Sequence, residues 1–218
     1  MSAAQRLIAL DRTKTIVPLG DGTNHQFNHS DLDHWNQPSG ISTEEGELLY
    51  GLIRVVRPTL VLETGTNIGV SSSYICLGLQ DNGFGHLTTI EHMTSVAPFA
   101  KKKLEEMGFD NFNVFVGEVE IFPQPQPESV DFMWLDTELA QRYAELVRFF
   151  PSVKPGGIIC IHDLWTLDFD QFGGVPDDMR KLIQTGELRA LTFNTPHGIS
   201  VFQRRRESDH LADIQKSK

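Results

Sequence analysis

Val61-Leu-Glu-Thr-Gly-Thr-Asn-Ile-Gly-Val-Ser-Ser72 is the stretch that decides how this 218-residue chain folds. The run Thr59 to Glu63 reads as a buried strand, and a helix is expected from about Gly69 to Leu79. Gly65 ends the strand where the backbone must turn tightly and let a ligand approach, which a side chain would prevent. Gly69 falls where the helix starts and is expected to pack close to the sheet. A strand–turn–helix of this kind aims free N–H groups and the positive end of a helix dipole at the crevice above the strand ends. The spacing is Gly-x-x-x-Gly, not the Gly-x-Gly-x-x-Gly of dinucleotide pyrophosphate sites. A pyrophosphate needs several close backbone amides, whereas a ligand with one carboxylate and a cationic centre needs fewer. Glu63 offers a carboxylate suited to such a cation.

Outward from this segment, strands and helices alternate. Ser42 or Thr43 caps a helix running to about Val56. Leu87–Glu91 is a strand, 95–107 a helix and Phe112–Val116 a strand, and the proline-rich stretch 122–127 replaces most of the following helix. Val130–Leu135 is a strand, Glu138–Phe150 a helix and Gly157–Ile161 a strand whose unbroken apolar character suits a sheet centre. This order predicts an α/β fold, a doubly wound and mostly parallel sheet. After a helix over 176–185, the runs Leu188–Asn194 and Ile199–Gln203 are joined too tightly for a parallel crossover and must form an antiparallel hairpin. Residues 1–40 are polar and irregular, with a short helix near the start, and are expected to act as a lid or subunit contact, which leaves room for a homodimer. Residues 41–205 would be the catalytic domain and 206–218 a solvated tail.

Composition narrows the function. A net charge of −10 argues against nucleic acid as the partner, since phosphate binding requires a basic surface. Lys101–Lys103 and Arg204–Arg206 read as solvated faces. Cys76 and Cys160 lie in apolar runs and read as core residues. No long apolar stretch suggests a leader or membrane span, so a cytoplasmic protein is expected. The remaining histidines (25, 29, 34, 86, 197 and 210) are scattered without metal spacing, which speaks against zinc.

Ligands of open α/β sheets bind outside the carboxyl ends of the strands. Glu63, Glu91, Asp136, His162 and Asp163 all fall at such ends. Glu91, 22 residues beyond Gly69, is placed to accept bonds from two ribose hydroxyls. The segments Glu63–Ser71, Thr89-Ile-Glu91, Val116-Gly117, Asp131–Asp136 and Lys154-Pro-Gly-Gly157, with the lead-in Ile41–Gly46 and Gln141-Arg-Tyr143, resemble class I S-adenosylmethionine-dependent methyltransferases. The similarity covers residues 38–165 and is nearest the catechol and caffeoyl-coenzyme A O-methyltransferase-like branch. It implies a seven-stranded sheet with the terminal hairpin and S-adenosylmethionine as cofactor. Glu63, Gly65, Thr66, Asn67, Gly69 and Ser71 would hold its methionine end, Glu91 the ribose, and His92 and Gly117 the adenosine. Asp136 would lie against the cofactor as well as the acceptor.

The chain also departs from that branch, which holds a divalent metal such as Mg²⁺ on two aspartates and an asparagine. Asp136 and Asp163 match the aspartates, but Leu164 replaces the asparagine and Leu139 the branch's lysine. A hard cation needs about six oxygen ligands, so a metal is not favoured. With a small-molecule hydroxyl as acceptor, a base is needed among Asp136, His162 and Asp163, and His162 is preferred. A nicotinamide oxidoreductase would need pyrophosphate glycines that are missing. The two leucines leave open a chain that binds the cofactor without catalysis. Trp35 would anchor the N-terminal segment or cover a substrate.

Overall fold

A computed structural model describes residues 1–10, 16–18, 24–26, 40–164, 177–193 and 195–206. Trp35 and most of the 1–40 and 206–218 segments lie outside the described residues. Helix α1 (Ala3–Leu10) is followed by a two-stranded antiparallel ribbon, Ile16–Pro18 with Asn24–Gln26, in a region the sequence reads as irregular. The body comprises α2 (Thr43–Val56), β1 (Leu60–Thr64), α3 (Val70–Asn82), β2 (His86–Glu91), α4 (Ala97–Glu106), β3 (Phe112–Val116), β4 (Val130–Leu135), α5 (Leu139–Phe149), β5 (Val153–His162), α6 (Asp177–Gln184), β6 (Leu188–Phe193) and β7 (Ile199–Arg204).

The seven strands lie in the order β3-β2-β1-β4-β5-β7-β6. The first five are parallel, and β7 runs antiparallel to both β5 and β6. The order reverses between β1 and β4, so the crevice of an open sheet opens above Thr64–Gly65 and Leu135–Asp136. Consecutive residues on the strands face opposite layers. Val61, Phe132, Trp134 and Cys160 pack under α1, α2 and α3, while Leu62, Met133, Leu135, Ile159 and Ile161 pack on the α5 side. Both cysteines are free and buried.

One boundary and one packing expectation differ from the sequence reading. Strand β5 begins at Val153, not Gly157, because Val153 pairs with Val130 while Ile158 pairs with Phe132, so Lys154–Gly157 form an irregularity inside the strand. Gly69 sits at the helix N-cap with φ 80°, and a Cβ there would lie 3.5 Å from Ala100 of α4, an ordinary contact. Its requirement for glycine is therefore the left-handed backbone and not close packing on the sheet.

Candidate functional site

The turn after β1 is held against its neighbours by backbone bonds. Gly65 and Thr66 donate to the Ile90 carbonyl at 3.0 and 3.2 Å, and Asp136 donates to the Thr64 carbonyl at 3.0 Å. A Cβ on Gly65 would collide with the carbonyl group of Asp136, and its φ of 82° disfavours any side chain. Around this turn opens a cleft of about 530 Å³, within the range of small-molecule sites. Gly65, Asn67, Glu91, His92 and Asp136 line it, together with Met93, Val96, Glu118, Val119 and Gln141.

Glu91 accepts the Asn67 N–H at 2.7 Å on one oxygen and the Met93 N–H at 2.8 Å on the other. Each carboxylate oxygen keeps a second lone pair, so the buried group is fixed yet still able to accept from a vicinal diol. His92 lies 3.4 Å from the same carboxylate with its ring largely exposed at the cleft edge. Gly117 donates to the Glu91 carbonyl at 2.8 Å and stands behind the wall, which Glu118 and Val119 supply.

Other predicted residues face away from the large cleft. Glu63 is 0 % exposed and accepts the Ser71 and Ser72 hydroxyls at 2.5 Å each. Burial pushes its carboxyl up to about 7, against the opposing pull of those hydroxyls. It braces the first turn of α3 from beneath, which corrects the expectation that it meets a cationic ligand directly. Thr66 shares a 2.5 Å hydroxyl contact with Thr89 and turns toward the sheet. Ser71 lines a narrower recess beside the cleft, shared with Thr66, Gly65 and Asn67.

On the other side of Gly65 and Asp136 lies a smaller pocket of about 170 Å³, whose walls include Arg142, His162 and Asp163. His162, 3 % exposed, places Nδ1 3.0 Å from Asp136 and Nε2 3.2 Å from Glu45. Burial opposes its charged form, but the bonds to Asp136 and Glu45, with Asp163 nearby, outweigh that and raise its pKa from 6.5 to about 10. Both ring nitrogens therefore carry protons at neutral pH, and His162 has no lone pair with which to act as the base expected from the sequence. The indole of Trp134 stacks on it, centroids 5.6 Å apart, a placement that favours a cationic ring.

The sequence reading missed Glu45, Arg142 and His197. Glu45, 0 % exposed, completes a capping box with Ser42, accepting the Ser42 N–H at 2.8 Å. It also accepts from the Thr195 hydroxyl at 2.7 Å, from the His197 N–H at 2.8 Å and from the two imidazoles. Those bonds hold its carboxyl far below the usual range despite burial. The Ser-x-x-Glu spacing is the local signal of a capping box, but nothing local tells that its other oxygen lone pairs reach β5 and the hairpin turn. Arg142, 5 % exposed, reaches Asp136 at 3.1 Å and Asp163 at 3.0 Å through one nitrogen. It also bonds the Thr137 carbonyl at 2.7 Å and the His162 carbonyl.

Among the described residues two sets lie close enough to share a cation, Glu45–His162–His197 and Asp136–His162–Asp163, neither with sequence spacing that would advertise it. The second, which the family resemblance offers to a divalent metal, does not fit one. A guanidinium nitrogen bridges its carboxylates, a protonated imidazole faces them, and Leu164, buried, stands where a third oxygen ligand would be needed.

The reversed strand order, the glycine turn and the terminal hairpin are those of the class I methyltransferase fold. The family described as "Methyltransferase domain" matches residues 62–164, just under half of the chain. A protein of Mycobacterium sp. (strain JLS) carrying a provisional O-methyltransferase name is 29 % identical over 120 residues, 54 % of each chain. The chain thus spans about half the length of the curated relatives it matches. The crystal structure of the O-methyltransferase TomG from Streptomyces achromogenes in complex with SAM superposes with a TM-score of 0.66 at 19 % identity, covering 94 % of this chain and 90 % of that one. An O-methyltransferase from Bacillus cereus in complex with SAH gives 0.62 at 18 %, covering 78 % and 84 %. This family match, with the missing pyrophosphate glycines, sets aside the nicotinamide oxidoreductase reading. No helix among the described residues is long and apolar enough to cross a membrane.

Proposed function

We propose that this chain transfers a methyl group from S-adenosylmethionine to a hydroxyl oxygen of a small molecule. The observation that carries the reading is the pair of adjoining spaces on either side of Gly65 and Asp136: a nucleoside-sized cleft ending at Glu91, and a small polar pocket lined by acidic groups. The residues fit the cofactor, because Gly65, whose lack of a Cβ lets the turn pack against the Asp136 carbonyl, lines the cleft and Glu91 offers free lone pairs at the far end. When bound, S-adenosylmethionine supplies an electrophilic methyl group on a sulfonium sulfur.

Gly65 and Asn67, which border both spaces, would hold the cofactor where they meet. Asp136 borders both spaces, and its Oδ2 accepts no hydrogen bond among the described residues. It orients the acceptor hydroxyl and takes its proton as the carbon–sulfur bond breaks and the carbon–oxygen bond forms. A carboxylate suffices as base here, because the hydroxyl becomes strongly acidic as the methyl arrives. Asp163 orients the acceptor beside it, and His162 holds Asp136 in place. Residues 41–205 form the catalytic unit in this reading, with 1–40 as lid or subunit contact, 206–218 as a tail and the cytoplasm as location.

Calorimetry with S-adenosylhomocysteine tests the site. Wild-type chain should bind it, and Asp136→Asn should retain binding while losing methyl transfer from labelled cofactor across a panel of hydroxylated acceptors. Full turnover in Asp136→Asn would remove the base assignment.

A further inference from the structure

We propose that Arg142 is the resident cation of the acceptor pocket, holding the place a divalent metal would take, so that methyl transfer in this chain needs no metal. The inference rests on the methyltransferase reading for its purpose, but its geometry stands separately. One guanidinium nitrogen lies 3.1 Å from Asp136 and 3.0 Å from Asp163, bridging the two carboxylates. The other two nitrogens are tied to the carbonyls of Thr137 and His162, one in the turn after β4 and one at the end of β5. Bonded on all three nitrogens and almost fully buried, the group cannot swing aside to admit an ion.

Arginine suits this task where lysine would not. Its planar fork bonds groups on several elements at fixed angles, whereas an ammonium is a single point of charge. His162 adds a second donor to the same carboxylates, with Nδ1 at 3.0 Å from Asp136 and 3.6 Å from Asp163. Leu164 removes the oxygen that a hard cation would require next. Asp136 Oδ2 and Asp163 Oδ1 remain uncommitted among the described residues, so each carboxylate is neutralised on one oxygen and open on the other. The pocket is therefore built to receive a hydrogen-bond donor on the acceptor molecule and not an oxyanion chelated to a metal.

Mn²⁺, followed by its paramagnetic resonance signal on the full chain, tests this alongside calorimetry with S-adenosylhomocysteine. Wild type should show no saturable Mn²⁺ binding at micromolar concentration. Arg142→Gln combined with Leu164→Asn should acquire it and lose it again when Asp163→Asn is added. Saturable binding by wild type that Asp163→Asn abolishes would overturn the inference. So would a double variant that still binds S-adenosylhomocysteine but takes up no Mn²⁺. Failure of the wild type to bind S-adenosylhomocysteine would instead sink the methyltransferase reading and leave the wild-type metal titration to decide the role of Arg142.

Discussion

Replacing His162 by glutamine should abolish a pH dependence of folding stability that the wild-type chain carries above neutrality. His162 keeps its proton up to about pH 10 in the folded state, against 6.5 when free, because Asp136 and Glu45 flank its two nitrogens. Between those values the folded chain binds one proton more than the unfolded chain, so stability falls as pH rises. The contribution is complete below pH 6.5 and is gone once pH has passed about 10. One proton corresponds to a slope of about 1.4 kcal/mol per pH unit, so the window removes about 4–5 kcal/mol. That is a large share of the 5–15 kcal/mol typical of a folded domain. Urea denaturation of both proteins at intervals from pH 6 to pH 10 measures it. The wild type should lose midpoint steadily across the range while His162→Gln stays comparatively flat. Parallel curves would refute the argument, and so would a ring nitrogen titration by NMR with a midpoint near 6.5.

Glu63 provides the complementary test at lower pH: its folded carboxyl titrates near 7 against 4.5 when free, so the folded chain again holds the extra proton, and this contribution is lost as pH rises from 4.5 through 7. Glu63→Gln should therefore be at least as stable as wild type at pH 8 in denaturant melts. Arg142→Met should lose about 3–5 kcal/mol, the cost of stranding Asp136 and Asp163 beside each other, with Arg142→Lys losing less in the same assay. Gly65→Val should weaken S-adenosylhomocysteine binding at least tenfold in calorimetry, since its Cβ meets the Asp136 carbonyl. Glu91→Ala should weaken it about 10- to 100-fold, the worth of a hydrogen bond to a charged group. Unchanged affinity in both would remove the cleft assignment.

What could be read from the sequence was whatever depends on neighbours along the chain. The apolar runs and the hairpin connection placed every strand of the main sheet, and Gly65, Asn67, Glu91 and Asp136 reach the cleft because strand ends share one edge of a parallel sheet. What could not be read depends on side chains meeting across long separations. Glu45 and His162 are 117 residues apart, and Glu45 and His197 are 152 apart. His162 was read as the preferred base because its second carboxylate arrives from the first turn of α2, far along the chain. Glu63 looked like a ligand because its strand position is right, but the two serines that engage it follow the turn and draw it beneath the helix. Arg142 was visible only as part of a motif, since its partners sit at the ends of two different strands.

The charges of the acceptor pocket fit together once these partners are counted. Asp136, Asp163 and Glu45 contribute three negative charges, and Arg142 and His162 return two, all within bonded reach. The remaining negative charge lies where a positive charge must be handled. In the proposed reaction, methyl transfer from a cation to a neutral hydroxyl moves that charge onto oxygen, and it leaves as a proton. A fixed carboxylate surplus in a small buried space stabilises the oxygen-centred cation as it forms and does not have to reorganise to do so. Arg142 and His162 both engage Oδ1 of Asp136, which leaves its Oδ2 to meet the methyl-accepting oxygen of the proposed reaction.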